Sequence, residues 1–207
     1  MHGRLVALAA ALDTDLEQAL AQLTLLFDRV DQRVKKRAQR YIFPCHAACS
    51  ACCTAAVRFT FLEYVAVIED LRRQDLLDDF LQKALSLRAR PLRSGSDAAH
   101  KANQKNAGTE TEPSGTESQA DPATVQACPV LGDDGLCRAY HARPLVCRLF
   151  GMSFNEQGEL YACALVTEKF AGKLLRLTRA QPALQEIRSI ELTEKIGTFS
   201  YFARLLT

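Results

Sequence analysis

The sequence predicts a mostly α-helical protein: a small helical domain with a cysteine-rich core and a short β-hairpin, interrupted by a disordered insertion. Three observations favour this fold class. Apolar residues recur at helical spacing in several segments, eight cysteines fall into two clusters of four, and the segment between the clusters lacks large apolar side chains. With 207 residues, 48% of them hydrophobic, the chain can bury a core of ordinary size without covalent staples.

A long amphipathic helix is predicted within residues 1–42. Thr14 and Glu17 have capping-box spacing, and Pro44 stops the pattern. Its apolar positions alternate steps of four and three residues: Leu16, Leu20, Leu23, Phe27, Val30 and Val34. Basic residues crowd the end of this helix and complement its dipole. Because the formal net charge is only +2, we expect a solvated face there rather than a nucleic-acid surface.

Two further helices are predicted downstream of the first cysteines. One begins near Thr60, because Thr60 and Glu63 again have capping-box spacing. The next covers residues 75 to about 89 and ends before Pro91. The residues predicted to face inward are Val65, Ile68 and Leu71 in the first helix and Leu77, Phe80, Leu81, Ala84 and Leu85 in the second.

Residues 43–163 are predicted to form one cysteine-cluster domain. A polar segment divides this domain into two halves. Residues 94–124 contain no Val, Ile, Leu, Met, Phe, Tyr or Cys, so this segment cannot offset its ordering entropy and is predicted to be a disordered insertion. Asp133 to Gly135 carry a turn signal, and residues 152–163 predict a hairpin whose loop is 155–158.

A C-terminal helical region, residues 164–207, is predicted to pack on the same domain. Its helix begins near Pro182, and Gly197 should weaken it or divide it in two. The apolar positions are Leu184, Ile187, Leu192, Ile196, Phe199 and Leu206.

The chain is expected to be soluble and cytoplasmic. No apolar run reaches the roughly 18 to 20 residues of a membrane-spanning helix. Residues 5–12 faintly imitate a secretory signal, but the acidic residues that follow and the helical periodicity favour a helix of the mature protein. In the reducing cytoplasm, clustered cysteines indicate metal or redox chemistry.

The cysteines are the candidate metal ligands. Thiolates two to four residues apart on a tight loop can converge on one ion, as in structural zinc sites. Such soft ligands select zinc, copper(I) or iron–sulfur clusters over magnesium or calcium. The predicted ligands are Cys45, Cys49, Cys52 and Cys53 in the first cluster and Cys128, Cys137, Cys147 and Cys163 in the second.

The cysteines also permit three less favoured interpretations. Eight cysteines, an even number, would allow a disulfide scaffold, but the sequence shows no convincing signal peptide that would direct the chain to an oxidising compartment. Burial as small apolar side chains does not account for four cysteines within nine residues. A catalytic thiol would need a base such as His46 or His141, and these two histidines are also the less favoured metal ligands.

The spacing leaves the number of ions open. Adjacent side chains on an extended or helical backbone diverge, so Cys52 and Cys53 are not expected to reach one small ion together. Eight thiolates are compatible with three arrangements: two mononuclear sites, one polynuclear centre, or one cluster with a spare thiol. Four arginines flank the clusters and suit either hydrogen bonding to sulfur or surface ion pairs: Arg58, Arg138, Arg143 and Arg148.

The cysteines stand within a wider pattern. From Cys45 to Cys163 they keep a fixed order, with Pro129, Tyr140 and the pair Arg143-Pro144 between them. This pattern resembles the bacterial cysteine-cluster family named for its CxxCxxCC motif (YkgJ-like), which is described as a zinc- or iron-chelating domain. The resemblance implies chelation by the eight cysteines. Some relatives are linked to iron–sulfur chemistry or to flagellin lysine methylation.

The favoured function is therefore a metal-binding protein whose zinc or iron organises the loops between helices. Whether it is an enzyme stays open. An iron–sulfur enzyme with a protein-methylation or radical-type activity is the alternative, because Cys45, Cys49 and Cys52 have the spacing of the radical S-adenosylmethionine signature. The helical flanks speak against the barrel of those enzymes. A third hypothesis is an interaction protein that binds a partner through the N-terminal helix, although packing within the chain is the commoner use of such a stripe.

Overall fold

The computed structural model describes residues 16–44, 49–87, 126–190 and 196–206, of which about half are helical. The helices are α1 (Leu16–Ala38), α2 (Phe61–Arg73), α3 (Leu77–Ser86), α4 (Leu145–Leu149), α5 (Ala164–Lys169), α6 (Gln181–Ile190) and α7 (Phe199–Leu206). The strands are β1 (Phe59–Thr60), β2 (Ser153–Phe154), β3 (Leu160–Tyr161), β4 (Thr178–Arg179) and β5 (Ile196–Gly197). The helical character is confirmed, while the predicted insertion lies outside the described residues.

The apolar stripe of α1 packs into the protein's own core. Its buried residues are Ala19, Leu23, Leu26, Phe27, Val30 and Val34. They form one cluster with residues of α4 and α6 and with Leu62 of α2. The predicted helix is therefore confirmed from Leu16 onward, whereas its predicted cap at Thr14 lies outside the described residues.

α2 is the central helix and is buried on nearly every face. The Thr60 hydroxyl accepts a hydrogen bond from the Glu63 N–H at 3.3 Å, and the Glu63 carboxylate accepts one from the Thr60 N–H at 2.7 Å. The predicted capping box is thus confirmed. Val65, Ile68 and Leu71 are buried as predicted.

A second apolar cluster joins α2, α3 and α7. Tyr64 and Phe202 are fully buried there, with ring centroids 5.3 Å apart, and Phe199 packs beside them. Val130 and Ala139 belong to the same cluster although they lie on the loop that carries two cysteines. The core therefore reaches directly to the cysteine-bearing part of the chain.

α3 begins later than predicted. Asp75 has a φ of 59° and closes the turn after α2, so the helix starts only at Leu77. At the other end Leu87 is extended, and the predicted remainder to residue 89 lies outside the described residues. The buried residues of α3 are Phe80, Leu81 and Ala84.

The predicted hairpin is confirmed. β2 and β3 pair antiparallel, with Ser153 opposite Tyr161, and the Asn155 N–H donates to the Glu159 carbonyl at 2.9 Å. β4 adds to the other side of β2 in parallel. Within the described residues there are no repeated strand–helix units, so the fold lends no support to the barrel of the radical-type alternative.

The C-terminal region contains two helices, α6 and α7, and Gly197 lies between them. Gly197 lies in β5, which pairs antiparallel with β1 and separates α6 from α7, and a side chain at this position would collide with the Tyr201 ring. Ile196, predicted on an apolar helix face, is 42% exposed because its backbone is a strand. Ile187 and Phe199 are buried as predicted, and Leu192 lies outside the described residues.

None of the helices in the described segments is both long and apolar enough to cross a membrane.

Candidate metal centre

The first cysteine cluster lies in a loop of tight turns after α1. The Cys53 N–H donates to the Ser50 carbonyl at 2.9 Å, and the Thr54 N–H donates to the Cys52 carbonyl at 3.1 Å. Cys45, the first predicted ligand, lies outside the described residues. Two successive turns thus shape the backbone at Cys52 and Cys53.

The two cysteine clusters meet through backbone pairing. The Cys128 N–H donates to the Cys53 carbonyl at 3.0 Å, and the Ala55 N–H donates to the Gln126 carbonyl at 2.8 Å. Between these bonds the two chain segments form an antiparallel bridge. This pairing brings residues from before and after the polar segment side by side.

Cys128 and Cys137 lie at the two ends of one tight loop. Leu131 and Cys137 form an antiparallel bridge, and the Leu131 N–H donates to the Cys128 carbonyl at 3.0 Å. The predicted turn at its tip is present, with Gly135 at a φ of 76° that favours glycine. The loop therefore returns Cys137 to the neighbourhood of Cys128.

Backbone N–H groups point at two of the sulfurs. Burial raises the pKa of the Cys128 thiol to about 12, and the Val130 N–H opposes this by hydrogen bonding to it. Burial also raises the pKa of Cys137, where the Ala139 N–H acts in the same opposing way. In both cases the donor lies two residues after the cysteine. Such bonds stabilise a thiolate and are common around metal-bound sulfur.

Cys147 is carried by α4, whose start is fixed by Glu63. The buried Glu63 carboxylate accepts from the Leu145 N–H at 2.6 Å through one oxygen, while its other oxygen caps α2 at Thr60. One carboxylate thereby accepts from the N-cap N–H of α2 and from the first N–H of α4. It ties the Cys147 helix to the central helix of the core.

Five thiols influence one another electrostatically: Cys52, Cys53, Cys128, Cys137 and Cys147. The pKa of Cys147 is raised. Burial is the largest cause, and the charges of Cys128 and Cys137 raise this pKa further. The Cys147 residue is nevertheless exposed to solvent. Several thiols that resist ionising together are a setting in which a cation is strongly favoured.

Cys52 and Cys53 are adjacent, and the interaction between their thiols raises the pKa of Cys52 and lowers that of Cys53. A turn closed by the hydrogen bond from the Cys53 N–H to the Ser50 carbonyl ends at Cys53. That the two side chains do not reach one small ion together stays a prediction.

Cys163 occupies the N-cap of α5, and its carbonyl accepts from the Thr167 N–H at 3.0 Å. Tyr161 precedes it in β3, where burial and then the Cys147 charge raise the tyrosine pKa to about 12.

Arg148 is a buried structural residue, and the hydrogen bonds found for it among the described residues end on oxygen atoms rather than on a cysteine sulfur. Its side chain is almost fully buried, with the guanidinium carbon 3.9 Å from the centre of the Phe27 ring. It donates to the Asp31 carboxylate at 2.5 Å, to the Arg143 carbonyl at 2.9 Å and to the His141 carbonyl. These bonds hold the chain before α4 against α1.

The remaining flanking arginines are closer to the surface. Arg143 lies near Cys137 and its charge lowers the pKa of that thiol, against the effect of burial. Arg138 pairs with Asp134 at 3.1 Å, and Arg58 is exposed. The hydrogen bonds found for Arg138, Arg143 and Arg148 in the described segments end on oxygen, so these arginines support the loops rather than the sulfurs directly.

The donor chemistry fits zinc or iron, but the ligand set is not assembled. Among the described residues, no three His, Cys, Asp or Glu side chains are placed to hold a metal ion. The thiols are soft ligands, partly buried, with N–H donors at two sulfurs, as thiolate–metal sites require.

Sequence reasoning found Glu63 only as a helix cap. Its second oxygen reaches Leu145, which is 82 residues further along the chain. The one signal in the sequence was a carboxylate in the first turn of a helix that is otherwise apolar on nearly every face. Nothing local indicates which distant N–H group it binds.

Comparison with protein-family models matches residues 44–164 to CxxCxxCC, described as "Putative zinc- or iron-chelating domain". No curated protein and no solved structure matches the chain.

Proposed function

The chain belongs to the CxxCxxCC family, and we propose that it is a metal-binding protein that chelates zinc or iron through its cysteine thiolates. The proposed ligands are Cys45, Cys49, Cys52 and Cys53 with Cys128, Cys137, Cys147 and Cys163. The interacting group of five thiols is the proposed centre of the site. An iron–sulfur cluster is the finer form of the same proposal, since eight thiolates suffice for one.

The observation that carries the proposal is the hydrogen bond from the Cys128 N–H to the Cys53 carbonyl. It links two cysteine clusters that are 75 positions apart in sequence, counted from Cys53 to Cys128. A chain that used its cysteines only as small apolar residues would have no need to bring them to one place. Convergence of soft donors is what chelation requires.

When bound, the metal would supply positive charge that offsets several thiolates at one place. The chain's own residues prepare for this charge. The Val130 and Ala139 N–H groups bind the sulfurs of the tight loop, while Glu63 fixes the helix of Cys147. Metal binding should therefore tighten loops on a core that is already folded.

The first experiment is to purify the full chain without air and measure zinc, iron and acid-labile sulfide per chain, with a visible absorption spectrum. We expect bound zinc in a colourless protein, or iron with visible absorption if a cluster is present. Cys53→Ser and Cys128→Ser should each lose most of the metal. Ser50→Ala, a change in the same loop that removes no thiol, should keep it. Metal-free wild-type protein, or serine variants that keep their metal, would refute the proposal.

Hydrogen exchange before and after removal of the metal by a chelator distinguishes the contribution of the metal to the loops from its contribution to the core. Hydrogen exchange should become faster at the Cys128 and Arg138 amides, which close the cysteine-bearing loops. Amides in α1 and α2 should stay protected, because apolar packing holds those helices. Global unfolding on chelation would show instead that the metal holds the whole fold.

A further inference from the structure

A recess of the molecule lies away from the cysteines, between the C-terminal half of α1 and the start of α6. It is a cavity of about 380 Å³. The apolar part of its wall includes Val30, Val34, Leu149 and Leu177, which belong to different elements. The volume is in the range of pockets that hold small organic molecules.

Three arginines line this cavity. Arg33 and Arg37 are one turn apart on α1, and Arg179 comes from β4. Arg37 donates to the Leu177 carbonyl at 3.4 Å, which holds its side chain at the recess. For Arg33 and Arg179 no ion pair is found with any residue that the structure describes. Guanidinium groups are the side chains best shaped to bind carboxylate or phosphate.

Nearby carboxylates are engaged elsewhere. No acidic residue is among the described residues that line the cavity. On the neighbouring faces, Asp31 binds Arg143 and Arg148, and Glu186 of α6 pairs with Arg29. The three guanidinium charges at the cavity are therefore not neutralised by the side chains beside them.

A buried hydroxyl independently marks the same recess. Thr178 lines the cavity, and its Oγ1 atom is buried and has no hydrogen-bond partner among the described residues. Buried hydroxyls are normally hydrogen-bonded, so this atom calls for a partner. α6 also begins here, with Pro182 and Ala183 in the wall, and the positive end of its dipole favours an anion.

We propose that this recess is a binding site for a small organic anion that carries one phosphate or carboxylate group and an apolar portion. The arginines and the Thr178 hydroxyl bind the oxygens of the anion, while the apolar wall covers the remainder. The proposal is independent of the metal site, because none of the cavity residues is a cysteine. A purely electrostatic surface for nucleic acid would not need the apolar wall.

The test uses the full metal-loaded chain and three probes: phenyl phosphate, inorganic phosphate and benzyl alcohol. In calorimetric titrations, phenyl phosphate should bind in a saturable way, with higher affinity than inorganic phosphate, and benzyl alcohol should not bind detectably. The double variant Arg33→Gln/Arg179→Gln should weaken phenyl phosphate binding by about tenfold or more, because charge-assisted hydrogen bonds are lost. The matched control, Arg73→Gln/Arg188→Gln, removes two exposed arginines elsewhere and should bind as wild type does.

Thr178→Val preserves the branched shape and removes the hydroxyl. It should weaken phenyl phosphate binding severalfold while the metal content stays unchanged. Equal affinity of the wild type and the Arg33→Gln/Arg179→Gln variant would overturn the proposal. So would a single-stranded oligonucleotide or an acidic peptide that binds through these arginines when phenyl phosphate does not.

Discussion

The helical core and the cysteine-bearing loops differ in what holds them. In the core, α1 and α2 bury continuous apolar faces, and side chains such as Leu62 and Phe202 have no solvent exposure. The cysteine-bearing loops contribute only a few side chains, such as Val130 and Ala139, to that core. Backbone hydrogen bonds, such as the one from Cys128 to Cys53, join the loops, and their described cysteines are half-buried or exposed. Apolar packing can therefore maintain the core, whereas the arrangement of the loops depends more on what binds their thiols.

The largest expected effect comes from the core. Phe202→Ala removes a fully buried ring from the aromatic cluster and should lower the free energy of unfolding by about 3–5 kcal/mol. Denaturant titration measures this loss. The metal content per folded chain should be unchanged if core and loops are separable. Leu174→Ala, at a residue 89% exposed, is the control with almost no effect. A loss of metal from folded Phe202→Ala, together with the loss of stability, would show that the core and the loops are not separable.

Glu63 joins the two regions, so its substitution should affect both. Glu63→Gln replaces an acceptor that serves both Thr60 and Leu145 and should destabilise the protein by about 2–3 kcal/mol. Metal affinity should also fall, because the Cys147 helix loses its anchor. Glu168→Gln, an exposed change of the same kind, should alter neither quantity. Unchanged metal affinity in Glu63→Gln would show that α4 needs no such support.

Arg148 gives a smaller and more local effect. Arg148→Lys keeps a charge but cannot bind Asp31, Arg143 and His141 at the same time, so we expect a loss of about 1–2 kcal/mol. Thermal or denaturant unfolding measures it. Arg138→Lys is the surface counterpart, and its ion pair with Asp134 should be worth less than about 0.5 kcal/mol. Equal losses in the free energy of unfolding for the two variants would contradict a structural role for the buried Arg148 side chain.

The smallest effect concerns pH and a single buried hydroxyl. Burial raises the pKa of Tyr64 above its ordinary value of 10.0. Above pH 10 the unfolded chain releases this proton while the folded chain retains it, so stability falls as pH rises. Tyr64→Phe should remove about 1.4 kcal/mol per pH unit of that decline. At neutral pH it should stabilise slightly, because the Tyr64 hydroxyl is buried without a described partner. Denaturant titrations at pH 8 and 11 give both quantities, and an unchanged slope would contradict this burial.

The helical core could be predicted because its signals are local. Thr60 and Glu63 identify the start of α2 from spacing alone, and the four–three repeat of α1 identifies its buried face. The misplaced start of α3 arises at Asp75, where a non-glycine residue adopts a left-handed conformation that periodicity does not reveal. Short helices escape prediction for a related reason, since α4 has only five residues and its N-cap residue, Pro144, offers no capping side chain.

The cysteine-bearing region could be predicted in composition but not in arrangement. Spacing identifies the thiols, yet the pairing of Cys53 with Cys128 is a long-range contact that no local pattern encodes. Glu63 is similar, because its contact with Leu145 is set by the packing of α4 against α2. These contacts arise from tertiary structure.

The central claim is that sulfurs from both halves of the chain bind one metal centre. X-ray absorption at the zinc or iron edge of the air-free protein counts sulfur neighbours directly. We predict a first shell dominated by sulfur at about 2.3 Å for zinc, and fewer sulfur neighbours in whatever metal Cys53→Ser and Cys128→Ser retain. A shell of nitrogen and oxygen alone, or an unchanged sulfur count in either variant, would contradict the account.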